Sequence, residues 1–186
     1  MTYSDVIDFL FNSINSYQNK GSQAIRPGLN NITSLCDHLN NPQNSYKIVH
    51  VGGTNGKGSS SYGISNICIE NKLSVGLFTS PHIYDFRERI QVNGKPVDKA
   101  FIIDFVKSNK KIIDKISPSF FELTTAMAFK YFQQKSVDLA VIEVGLGGRL
   151  DSTNIVNSDV VLITNIGFDH QEILGDSLDD IAKEKA

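Results

Sequence analysis

The residues His50-Val51-Gly52-Gly53-Thr54-Asn55-Gly56-Lys57-Gly58-Ser59 concentrate the chemistry of this 186-residue chain. Glycines let successive backbone N–H groups converge on an anion, and the free N–H groups of a following helix add a positive dipole end. Lys57 is placed to reach the outer phosphates of a nucleotide, and the Ser59 hydroxyl to sit on a magnesium ion. The pattern departs from the strict P-loop: Val51 stands where a glycine is expected, and Gly58 separates Lys57 from Ser59. A ligand-free glycine turn between a strand and a helix is the alternative reading of the same residues.

Three further clusters carry reactive side chains: Thr79-Ser80-Pro81-His82, Glu143 within an apolar run, and Thr164-Asn165-Ile166-Gly167-Phe168-Asp169-His170. A carboxylate in an apolar strand is costly unless it is paired or holds a metal. Glu143 is therefore either a magnesium ligand, since that ion takes hard oxygen donors, or the partner of a nearby arginine such as Arg149. Histidine suits magnesium poorly, so the residue chemistry alone makes His170 a hydrogen-bonding or acid–base group.

The elements that must position these residues alternate. Val6, Phe9, Leu10, Ile14 and Tyr17 recur at helical spacing, as do Leu29, Ile32, Leu35 and Leu39. A strand near 47–51 leads into the glycine loop and a helix over 60–71. A second strand over 74–78 ends in Thr79. Asp98 is placed to cap a helix carrying Phe101, Ile102, Phe105 and Ile112, with Lys107, Lys110, Lys111 and Lys115 on a solvated face. A helix over 122–134 precedes the apolar strands 137–144 and 159–164. Apolar runs separated by helices predict a mostly parallel α/β sheet covered on both faces, with ligands beyond the carboxyl ends of its strands.

Composition excludes other classes. A net charge of −2 offers no bulk attraction to nucleic acid or to an anionic membrane. The basic start of a secretory signal and a run of membrane-spanning length are both missing, which reads as a cytoplasmic protein. Cys36 and Cys68 lack metal-ligand spacing and are expected as reduced thiols.

Together the four motifs, with Glu143-Val144-Gly145-Leu146-Gly147-Gly148-Arg149-Leu150-Asp151 in full, resemble the folylpolyglutamate and dihydrofolate synthases. These are ATP-dependent amide ligases of the Mur type, with a P-loop NTPase-like central domain. The likeness runs from Arg26-Pro27-Gly28-Leu29 to Ile181-Ala182-Lys183-Glu184-Lys185-Ala186, and the inserted Gly58 favours the folate branch.

The resemblance implies that ATP phosphorylates a carboxylate of dihydropteroate or a folate, and that L-glutamate attacks the acyl phosphate. It implies Thr54, Asn55, Gly56, Lys57, Gly58 and Ser59 around the phosphates, Ser80 and Glu143 on one Mg2+, and Glu143, His170 and Lys185 at a second. Lys57, Glu143, His170 and Lys185 are the implied catalytic set, with Lys185 carbamylated. Arg26, Pro27, Ser119 and Phe120 are implied in the pterin or folate pocket, although an aromatic at a helix start is equally a core residue. Asp151 and Asn154 are expected to organise the loop.

Relatives of this type are more than twice as long, so residues 1–186 read as an N-terminal ATP-binding domain without its glutamate-ligase partner domain. The expected state is a monomer. A P-loop kinase or NTPase and a non-catalytic nucleotide-binding module are the alternatives.

Overall fold

The computed structural model describes residues 1–13 and 28–186. The positions Ile14, Tyr17, Arg26 and Pro27 singled out above lie outside the described residues.

Helix α1 (Tyr3–Asp8) opens on a capping box between Thr2 and Asp5 and continues into a π turn at Phe9–Ser13. Helix α2 (Asn30–His38) buries Ile32, Leu35 and Cys36. Strand β1 (Lys47–Gly52) delivers the chain to the glycine loop, and α3 (Lys57–Glu70) starts three residues earlier than its apolar pattern indicates. Small polar residues dominate that first turn, so periodicity has nothing to mark there. Strand β2 (Val75–Phe78) follows.

A hairpin absent from the sequence reading comes next. Strands β3 (Ile90–Val92) and β4 (Lys95–Pro96) are joined at Asn93-Gly94, both with positive φ (51° and 71°). That is the two-residue turn favoured by Asn-Gly. Its strands are too short for a readable alternation.

The expected single helix after Asp98 is two, α4 (Lys99–Ser108) and α5 (Lys110–Ile116), broken at Asn109. Asp98 occupies the cap position without capping: its Oδ2 accepts from Lys135 Nζ and Tyr131 Oη instead. Helix α6 (Phe120–Gln134) begins at a capping box of Ser119 and Glu122. Strands β5 (Leu139–Glu143) and β6 (Val160–Ile163) and helices α7 (Gln171–Leu174) and α8 (Leu178–Lys185) complete the described elements.

The sheet order is β4-β3-β2-β5-β1-β6. Strands β2, β5, β1 and β6 are parallel, and the hairpin adds two antiparallel strands at one edge. Carboxylates stitch the amino ends: Asp138 Oδ2 accepts from Ser74 N and Asp159 Oδ2 from Ile48 N, each at 2.8 Å.

Residues of alternating parity face opposite sides. Ile48, Phe78, Ala140 and Ile142 join the large core formed with α1, α2, α4, α5 and α6, where Phe129 and Phe132 are fully buried. Val51, Val75, Leu77 and Val141 face α3 through Ile64, Cys68 and Ile69. Coverage of both faces therefore holds at the centre but fails at β6, where Val160 is 55 % and Val161 61 % exposed. Both cysteines are free; Cys36 is buried, which pushes its thiol up to about 12.

Candidate functional site

The carboxyl ends of β1, β2, β5 and β6 bring all four motif clusters to one end of the sheet, and the segment after β6 closes over the glycine loop. The loop is held by that segment. Thr54 N donates to Asn165 O (3.0 Å), Asn55 N to Asn165 Oδ1 (2.9 Å) and Thr164 Oγ1 to Asn55 O (2.7 Å). The Thr54 hydroxyl donates to Gly167 O and accepts from Gly167 N. Thr54 thus shapes the loop with its side chain, and Thr164-Asn165-Ile166-Gly167 is a clasp. Gly53 is required by that closeness: its φ is 132°, and a Cβ would stand 2.0 Å from Thr164 Oγ1.

Gly56, at φ 81°, turns the chain into α3, whose first backbone bond is Ser60 N to Gly56 O (2.9 Å). The N–H groups of Lys57, Gly58 and Ser59 therefore have no intrahelical acceptor. Asn55, Gly56 and Ser59 are exposed, and Lys57 and Gly58 are half-buried. Lys57 Nζ folds back to donate to Gly53 O (3.0 Å) and Thr54 O (3.1 Å).

Glu143 ends β5 on the face that packs against α3, only 4 % exposed. Its Oε2 accepts from Ser80 N at 2.9 Å, and Gly58 lies next to it, where a Cβ would meet Oε1 at an ordinary 3.6 Å. Burial raises its pKa, partly offset by the Ser80 N–H and the charges of Lys57 and Arg89. The alternative pairing with Arg149 does not occur: that guanidinium bonds Glu184 Oε1 at 2.7 Å on the surface. Arg89, 4 % exposed, acts on Glu143 at longer range, and sequence reasoning missed it because one arginine in a short polar turn has no spacing signature.

Lys185, from the last turn of α8, is 7 % exposed and donates its Nζ to Gly53 O at 3.0 Å. Burial lowers its pKa, and the neighbouring Lys57 charge lowers it further. The solvated helix lysine that its position suggests is thus a buried amine beside the glycine loop. Gly148 permits this: a Cβ there would lie 2.8 Å from both Glu184 O and Lys185 O.

His170 sits at the exposed start of α7 with φ 48°, its Nε2 3.6 Å from Asp169 Oδ2. No group of three His, Cys, Asp or Glu side chains among the described residues gathers closely enough to hold a metal. The structure therefore brings together Lys57, Ser80, Glu143 and Lys185, and leaves His170 at the rim.

Ser119 acts as a helix cap, its Oγ accepting from Glu122 N (3.2 Å) while Glu122 Oε2 accepts from Ser119 N (2.6 Å). Phe120 is 5 % exposed, packed by Phe11 and Phe86, with Arg89 stacked 5.2 Å from its ring centroid. Asp151 organises its loop as expected. It accepts from Leu146 N and Thr153 N (both 2.9 Å), and Asn154 Nδ2 donates to Arg149 O. Thr153 Oγ1 extends this to buried His50 Nε2 at 2.8 Å.

This geometry matches known proteins. The Mur ligase middle domain family matches residues 51–186. The chain belongs to the Mur ligase family. It is 42 % identical over 170 residues to dihydrofolate synthetase of Saccharomyces cerevisiae, covering 88 % of this chain and 39 % of that one. It is 41 % identical over 169 residues to dihydrofolate synthase/folylpolyglutamate synthase of Bacillus subtilis, covering 87 % and 39 %. The solved structure of E. coli FolC in complex with DHPP and ADP superposes with a TM-score of 0.85 at 31 % identity, covering 100 % of this chain and 43 % of that one. The chain thus spans about two-fifths of the length of these Mur ligase relatives. Among its described residues, no helix is long and apolar enough to cross a membrane.

Proposed function

We propose that this chain is the ATP-binding domain of an amide ligase that joins L-glutamate to dihydropteroate or a folate. The supporting observation is the free amino end of α3 set between Lys57 and the buried Glu143. The folate-synthase relatives and the DHPP and ADP held by E. coli FolC support the substrate class.

In this reading the N–H groups of Lys57, Gly58 and Ser59 receive phosphate oxygens, and Lys57 leaves the Gly53 and Thr54 carbonyls to meet the outer phosphates. A carboxylate oxygen of the acceptor attacks the terminal phosphorus and ADP leaves. The glutamate nitrogen then attacks the acyl carbon, phosphate leaves, and the amine proton passes to solvent. Placement and charge neutralisation carry such transfers.

The donors fit a hard divalent ion. Glu143 offers a carboxylate with one hydrogen bond from the chain, and Ser80, whose backbone N–H makes that bond, offers a hydroxyl. Mg2+ would supply charge neutralisation at the phosphates. A second ion fits Lys185 only after its amine adds carbon dioxide, forming an N–C bond and releasing one proton, so that a cation becomes a carboxylate. Burial beside Lys57 favours the neutral amine that this addition needs. Glu143 and His170 would complete that site. The remaining functions are read as those of a cytoplasmic monomer without nucleic-acid or membrane partners.

The test is ADP release by the full-length protein with ATP, Mg2+ and L-glutamate, adding dihydropteroate or tetrahydrofolate in turn, beside Lys57→Ala. Release that requires glutamate and one pteridine, and is absent in the variant, is the expected result and names the acceptor. Release indifferent to both substrates would replace this reading with a simple NTPase. Nucleotide binding without release would leave a binding module.

A further inference from the structure

Among the described residues, arginine pairing runs opposite to burial. Arg87 and Arg149 are partly exposed, and each has a carboxylate at 2.7 Å. Arg89 is 4 % exposed, and no carboxylate lies within 4.0 Å of it among the described residues. A buried charge without a partner is the expensive arrangement. Its guanidinium has five N–H groups. One donates, Nε to His82 Nδ1 at 2.8 Å; the other four have no acceptor among the described residues. Phe120 covers one face of the guanidinium. Glu143 acts on it only at longer range, being committed to Ser80 N and the Lys57 charge.

His82 is bound to the same function. Because Nδ1 accepts from a cation, the ring hydrogen is on Nε2, which makes that atom a second donor. Its position is rigid in advance. Ile83 N, Tyr84 N and Asp85 N donate to the Glu88 carboxylate at 2.8, 3.1 and 2.8 Å, which locks the turn between His82 and Arg89. Such preorganisation is what a recognition element requires.

We propose that Arg89, with His82 oriented by it, receives the carboxylate of the acceptor substrate and presents it to the transferring phosphate. This rests on the ligase reading above and names the group that holds the attacking oxygen. The flat fork of a guanidinium matches a carboxylate bidentately, as an ammonium does not. Through Ser80 and Glu143 the clamp adjoins the end of the sheet where the phosphates are expected. A carboxylate there also cancels the uncompensated charge of Arg89, so binding gains from a cost already present in the free protein.

The experiment is a binding cycle on the full-length protein. Dihydropteroate and its primary-amide analogue, which lacks the negative charge, are each titrated into the parent and into Arg89→Gln, with L-glutamate as a further ligand. The expected result is a loss of about tenfold to a hundredfold for dihydropteroate in Arg89→Gln, with the amide analogue, glutamate and a non-hydrolysable ATP analogue unchanged. Equal weakening of acid and amide, or loss confined to glutamate, would overturn the assignment. Should Arg89→Gln melt far below the parent, Arg89→Lys keeps the charge and removes the fork. It must then retain the amide analogue while losing part of the acid's affinity, and full affinity for both would refute the clamp. A parent that binds ATP but neither pteridine would overturn the ligase reading itself, and the clamp with it.

Discussion

Gly148→Ala tests whether the glycine loop and α8 are held together by contact rather than by chance proximity. A Cβ at Gly148 would lie 2.8 Å from Glu184 O, 2.8 Å from Lys185 O and 2.9 Å from Lys185 Cα, all backbone atoms. Ordinary contact begins near 3.4 Å, so the last turn of α8 must retreat by about 0.6 Å. That turn also accepts Arg149 N at Glu184 O (2.8 Å) and carries the Lys185 bond to Gly53 O. Overpacking of this kind costs about 1–3 kcal/mol. For a chain of this size the melting temperature should fall by about 2–12 °C. Gly58→Ala is the control, since its Cβ would meet nothing nearer than Glu143 Oε1 at 3.6 Å. Removing a helical glycine there should leave the melt unchanged or raise it, by up to about 1 kcal/mol. Thermal denaturation of the ligand-free protein reads both. If Gly148→Ala melts within a degree of the parent, or Gly58→Ala falls as far, the packing argument is wrong.

Other perturbations follow from the same contacts. Glu143 binds its proton more tightly folded than unfolded, so ligand-free stability should decline as the pH rises from about 4.5 through the folded value. Glu143→Gln should abolish that decline, seen in urea melts across pH, while eliminating ADP release. His50 runs the other way: burial lowers its pKa from 6.5 to about 4, so stability should be lost as the pH falls through that interval, by about 3 kcal/mol in all. In His50→Gln the loss over that interval should vanish, and a slope equal to the parent's would refute the assignment. Lys57→Ala should weaken an ATP analogue at least tenfold in calorimetric titration without lowering the melt, since its ammonium bonds only loop carbonyls and faces Lys185.

The parallel centre of the sheet was legible because β1, β2, β5 and β6 are apolar runs with glycine or polar punctuation at their carboxyl ends. Lys57, Ser80 and Glu143 were legible with them, since a strand-end position in a parallel sheet is a shared location. The hairpin was not, because strands of three and two residues carry no period, although Asn93-Gly94 marks its turn. Arg89, His50 and Thr153 were invisible for another reason. Their importance lies in burial and in partners 7 to 103 residues away, which local pattern does not encode. Phe120 shows the opposite ambiguity: an aromatic at a helix start reads as pocket or core, and its 5 % exposure puts most of the ring in the core, with Arg89 on one side.

The charge arrangement bears on the proposed phosphate site. Lys57 and Lys185 both reach Gly53 O at 3.0 Å, so their ammonium groups lie no more than about 6 Å apart. At an effective dielectric of about 20, that repulsion is on the order of 3 kcal/mol. Arg89 adds a third cation, and the buried Glu143 carboxylate interacts with both Lys57 and Arg89. A polyphosphate at the start of α3 draws Lys57 away from Lys185 and is favoured by the same helix end. A carbamate on Lys185 would reverse the sign of the remaining pair. The first change relieves the repulsion that favours the neutral amine of Lys185, whereas the second replaces that repulsion by attraction. On the proposed reading, the Gly53 carbonyl that both lysines share is the contact that a bound polyphosphate would draw Lys57 from.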